Sequence, residues 1–142
     1  MTRGSLRAFS LIEALVAVAI LAVLLTMAMP RLRRANEQMH LDAAALRLRS
    51  IWSAQRVHWL EHGTFASSLP DLAAEGLVDL SIASGSDGSW TYIVGSPTAE
   101  VFRATAERNS GGWDGTLAID ETGALTGSLK SPDGGHLQAT QQ

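Results

Sequence analysis

Hydrophobic and polar positions divide the chain into stretches of different period. From Leu11 to Met29 every residue is apolar except Glu13 and Thr26, so no helical face is polar. A helix of about twenty such residues is roughly 30 Å long, the thickness of a bilayer core, and the pattern predicts a membrane-spanning segment. Pro30 comes next and cannot donate a hydrogen bond to the carbonyl of Thr26, which predicts a kink or local loosening there.

Residues 31–62 contain neither glycine nor proline and read as a continuation of the same helix with a different surface. Leu41, Ala45, Leu48, Trp52 and Trp59 recur at helical spacing and form one stripe, with Arg47, Arg49 and Arg56 mostly off it. Trp52 and Trp59 are large enough that the stripe is expected to pack under a sheet. Gly63 stands where a glycine cap ends a helix. Pro70 is placed to open a second, short helix and Gly76 to close it.

After Asp87-Gly88 the period shortens to that of strands. Segments 90–94, 101–106, 116–119 and 124–128 are separated by Gly95-Ser96-Pro97, by the glycine-rich run 109–115 and by Glu121-Thr122-Gly123. A meander of this size cannot bury a face by itself, and the amphipathic half of the long helix is the available cover. The expected fold class is therefore α+β, a long N-terminal helix packed on a small antiparallel sheet. Residues 131–142 are polar and are expected to be a disordered tail.

Composition sharpens this division. Of the 13 glycines in the 142 residues, only Gly4 precedes Gly63, and there is no cysteine, so no disulfide or cysteine-built metal site exists. Residues 31–62 hold six arginines against Glu37, Asp42 and Glu61, whereas ten acids after position 62 face only Arg103, Arg108 and Lys130. A basic stalk meets an acidic head, within a net charge of -3. Arg3 and Arg7 on one flank of the apolar run balance Arg31, Arg33 and Arg34 on the other, so positive charge does not set the membrane orientation.

Glu13 is the residue that a simple anchor does not need. A carboxylate at mid-bilayer costs roughly 2.5–3.5 kcal/mol on insertion scales, less near one end, and usually has a partner. Ala8-Phe9-Ser10-Leu11-Ile12-Glu13, preceded by a short basic leader, resembles the processing and methylation site of type IV pilins and of type II secretion pseudopilins. The resemblance implies cleavage by a prepilin peptidase between Ala8 and Phe9 and N-methylation of Phe9, with Ala8 standing where the family usually has glycine. Phe9, Glu13 and Pro30 are then the assembly residues, because the new ammonium of Phe9 can pair with Glu13 of a neighbouring subunit only in register. A pair within one chain, a single helical turn apart, is the other arrangement. The run 54–65 and Ser68-Leu69-Pro70-Asp71-Leu72 are also similar to the segment that closes the long helix in pilin-like proteins.

On that resemblance the divisions are a leader at 1–8, an assembly helix at 9–30, its amphipathic continuation at 31–62, a sheet head at 63–130 and a tail at 131–142. The implied role is a non-enzymatic subunit of a filament. The implied partners are other pilin-like subunits, a prepilin peptidase, an inner-membrane platform protein, an assembly ATPase and, before assembly, membrane lipid. The implied location is a single pass through the bacterial inner membrane with the head outside the cytoplasm. Two readings of the same residues compete. An ordinary signal peptide cleaved after Thr26-Met27-Ala28 would release a soluble domain starting near Met29, and an uncleaved chain would be a tethered periplasmic binding module.

Candidate chemistry elsewhere is sparse. The chain has no Gly-x-Ser-x-Gly elbow, no phosphate-binding glycine loop and no His-Glu-x-x-His pair. His58 and His62, four apart on a helix, could hold a metal with a third ligand, although they read first as solvent-facing histidines. Asp114, Asp120 and Glu121 are the calcium candidates, an idea supported by the calcium loop of major pseudopilins, but their run lacks the dense oxygen ligands of an EF-hand. The acidity of the head argues against nucleic-acid binding, and Arg31, Arg33 and Arg34 suit lipid headgroups.

Overall fold

A computed structural model describes residues 10–95 and 97–139. The first element, α1, is a 52-residue helix, Leu11–His62, which ends at the residue expected from sequence. It ends at Gly63, whose φ of 73° lies in the left-handed region and whose N–H bonds the Trp59 carbonyl at 2.8 Å. Two compact units divide the chain, residues 1–36 and 37–142.

In the second unit α1 is followed by two short helices. The first, α2 (Leu69–Ala74), has Pro70 in its first turn and Ser68 as N-cap, its hydroxyl accepting from the Asp71 N–H. Gly76, at φ 73°, ends it with a bond from Leu77 N–H back to the Leu72 carbonyl. The second is α3 (Leu80–Ala83). Five strands then form one antiparallel sheet in chain order: β1 (Thr91–Val94), β2 (Arg103–Ser110), β3 (Trp113–Asp120), β4 (Leu125–Lys130) and β5 (His136–Leu137).

The hairpin between β2 and β3 is longer and tighter than the sequence suggests. Ser110 pairs with Trp113, so the turn is Gly111-Gly112 alone, with φ of 62° and 78°. Two consecutive residues at positive φ match the twist of the flanking strands. Asn109, Ser110 and residues 113–115, expected in the glycine-rich loop, lie in strands. Residues 131–139 correct another expectation. Instead of a disordered tail, Ser131 is buried and His136–Leu137 pairs with β4 through Leu129 and Lys130.

One core joins helix and sheet. Leu41, Ala44, Leu48 and Ile51 of α1 are buried in the same cluster as Tyr92, Ala106, Leu117 and Leu129 of the strands. The stripe thus runs through Ala44 and Ile51 as well as the predicted positions. Trp59 departs from it, being 42% exposed with its indole N–H donating to the Ala99 carbonyl at 2.7 Å. Trp52 is half-buried, donates to the Glu121 carbonyl at 3.2 Å and lies against Gly123, where a Cβ would come within 3.1 Å of the indole. That contact explains the glycine at the β3–β4 turn.

Three polar anchors hold this unit together. Gln55 is fully buried and closes both ends of its amide on Ala66, donating to its carbonyl at 3.0 Å and accepting from its N–H at 2.8 Å. Arg108 on β2 reaches Glu37 on α1 at 2.8 and 2.9 Å to the two carboxylate oxygens, with only 6% and 13% of the two side chains exposed. Asp87 accepts from the N–H groups of Ser89 and Trp90 and from the Tyr92 hydroxyl, and pairs with Arg47. Burial pushes the Tyr92 phenol above its ordinary range, against the pull of Arg47.

Candidate processing and assembly segment

Of the predicted processing and assembly residues, Glu13 lies in the first turn of α1 and Pro30 within it. Ala8 and Phe9, the expected cleavage pair, lie outside the described residues. Glu13 is in the first turn of α1, its N–H and that of Ala14 bonded to the Ser10 carbonyl at 3.0 and 3.1 Å. An acidic residue in the first turn also complements the positive end of the helix dipole.

From Ala14 to Met29 the helix surface is apolar all round but for Thr26, and among the described residues the segment 11–29 is exposed. Its large side chains are exposed from Leu11, at 82%, to Met29, at 62%. Among the described residues α1 is the one helix long and apolar enough to cross a membrane, by length and composition. The polar interruption Thr26 is satisfied inside the helix, its hydroxyl donating to the Val23 carbonyl at 2.7 Å. Helical structure continues through Pro30. An exposed surface of this extent is unfavourable in water, and the segment therefore needs lipid or other helices around it.

Residues 5–29 match the family described as the prokaryotic N-terminal methylation motif. This is the prepilin-type motif of type IV pilins and pseudopilins. The match covers the leader's last residues, Ala8, Phe9, Glu13 and the apolar run, and stops one residue before Pro30. The α+β arrangement described above is consistent with a pilin-like fold, and the motif's family points to a structural subunit. No curated protein matches the chain.

The calcium candidates do not converge. Asp114 and Asp120 stand near opposite ends of β3, and six residues of strand separate them by roughly 20 Å. Asp114 is paired in register with Asn109 and Lys130. Asp120 is committed to its own turn, accepting from the Thr122 hydroxyl at 2.5 Å, the Thr122 N–H at 2.9 Å and the Ala124 N–H at 3.3 Å. Those bonds, the hydroxyl's first, hold its carboxyl below the usual aspartate range. Glu121 contributes its backbone carbonyl to Trp52. The extended strand separates Asp114 from Asp120 and Glu121.

His58 and His62 fare differently, because the fold brings Glu75 to them from the C-cap of α2. Sequence alone offered no signal for that third residue, which lies thirteen positions after His62 across a loop and a helix.

Proposed function

We propose that this protein is a subunit of a type IV pilin-like filament, made as a membrane-anchored precursor. A prepilin peptidase removes residues 1–8 and methylates Phe9, and the apolar half of α1 exchanges lipid for neighbouring helices as the subunit enters the filament. The observation that carries this reading is Glu13 at the start of a helix with no apolar cover of its own, inside a matched methylation motif. A carboxylate there is costly in lipid and is offset when the ammonium of Phe9 on an adjacent subunit comes into register.

The head then supplies the outer surface. Its acidic composition and the exposed apolar edge at Trp59 and Leu60 give it a surface on which neighbours or cargo can rest. Within this reading a type II secretion pseudopilin and a pilus subunit share the same N-terminal chemistry. The platform protein and assembly ATPase belong to the proposal with the filament.

The deciding measurement is terminal-peptide mass spectrometry on membranes of the native host. N-methylated Phe9 is the expected terminus, whereas Met1 or a start near Met29 removes the filament reading. Glu13→Ala is expected to leave membrane insertion intact and to reduce assembled filament at least tenfold. Normal assembly by that variant would mean that Glu13 does not set the register.

A further inference from the structure

The C-terminal end of α1 carries a feature that filament assembly does not use. His58, His62 and Glu75 place one ligand atom each within 4.8 Å of one another. The Glu75 Oε1 atom lies 3.4 Å from His58 Nε2 and 3.8 Å from His62 Nε2. At metal–ligand distances of 2.0–2.1 Å a tetrahedral zinc site has neighbouring donors about 3.4 Å apart. Both separations from the Glu75 oxygen are close to that value.

The other ring nitrogens are occupied in the manner that metal sites require. His58 Nδ1 lies 2.8 Å from the Thr64 carbonyl and His62 Nδ1 lies 3.2 Å from the His58 carbonyl. A carbonyl can only accept, so each ring donates its Nδ1–H and turns Nε2 towards Glu75. In neutral rings this leaves each Nε2 as an acceptor beside a carboxylate oxygen, a contact that a proton or a shared metal cation relieves. Backbone carbonyls that fix the tautomer and orientation of ligating imidazoles are the usual supporting shell of a metal site. The rings stack at 4.3 Å between centroids, and the His58 side chain is only 11% exposed while that of His62 is 47% exposed. The cluster is thus preformed on its inner side and open on its outer side.

We propose that His58 Nε2, His62 Nε2 and Glu75 Oε1 bind one divalent transition-metal ion of the zinc type. Two imidazoles and one carboxylate suit such an ion and not calcium, whose sites are built of oxygens. The ion ties the end of α1 to the end of α2 across the loop 63–68, stabilising that edge of the head. Its fourth position faces solvent. The site lies wholly within residues 58–75 and is independent of how the N-terminus is processed.

Tag-free full-length protein in detergent, stripped with chelator and titrated with zinc against a chromogenic competitor, tests it. The expected result is one zinc per chain and a rise in the thermal midpoint on adding zinc, neither reproduced by calcium. His62→Gln and Glu75→Gln, both at partly exposed positions, should each weaken binding about 100-fold or more and abolish the midpoint rise, while His136→Gln changes neither. Circular dichroism of the apo variants confirms the fold. Zinc affinity in His62→Gln and Glu75→Gln within threefold of the unaltered protein, or no saturable zinc binding up to millimolar concentration, would overturn the assignment.

Discussion

The two halves of α1 solve opposite problems with the same kind of backbone. Residues 11–29 are apolar on every side but for Glu13 and Thr26 and are exposed among the described residues, whereas residues 41–55 are apolar on one stripe that is buried against the sheet. An all-round apolar helix is stable only in lipid or among other helices, and a one-sided one finds its cover within its own chain. The comparison teaches that apolar content alone does not assign a helix to a core. The distribution around the axis decides whether the cover is internal or external.

The largest effect that would break this comparison is expected at Glu37, where the amphipathic half is tied to β2. Glu37→Ala leaves the Arg108 guanidinium buried without its carboxylate, and is expected to lower head stability by about 3–5 kcal/mol in denaturant unfolding. A loss below about 1 kcal/mol would show that the pair is dispensable. A paired truncation sharpens the contrast between the halves. Leu48→Ala, at a fully buried position, should cost about 2–5 kcal/mol, while Leu21→Ala, in the uncovered run, should leave unfolding of the head unchanged in the same detergent. Equal losses at both sites would mean that the two halves do not differ in where their cover comes from.

The smallest effect concerns the turn that holds Trp52. The Asp120 carboxyl is lowered from an ordinary value near 3.8 by its bonds to Thr122 and Ala124. A depressed acid stabilises the fold fully above that ordinary value and loses the contribution as pH falls through the lowered one. Asp120 is almost wholly solvated, so the effect is expected to be a fraction of a kcal/mol. Asp120→Asn should flatten the acid limb of the stability profile below about pH 4 by that amount, and an unchanged limb would place the acid sensitivity elsewhere.

Much of the fold was legible because its signals are local. Gly63 at the end of α1, Ser68 and Pro70 at the start of α2 and Gly123 at the β3–β4 turn each act within a few residues of their own position. The β2–β3 hairpin was less legible, since Gly111-Gly112 reads equally as a loose loop or a two-residue turn until the strands pair. The distance between Asp114 and Asp120 was not legible as a separation until the strand was placed, because an extended strand spreads residues about 3.3 Å apiece. His58 and His62 were visible at helical spacing, but nothing local marked Glu75 as their companion.

The sequence by itself determined the long helix, the all-apolar surface of its first half, the methylation motif with Glu13 and the presence of a small sheet. These follow from periodicity, from caps and from a motif read in consecutive residues. Tertiary structure alone decided that Arg108 meets Glu37 across 71 positions, that Gln55 closes on Ala66 and that Glu75 joins the two histidines. Such meetings depend on strand register and on where the chain returns to the helix, and those are settled by packing the whole core at once.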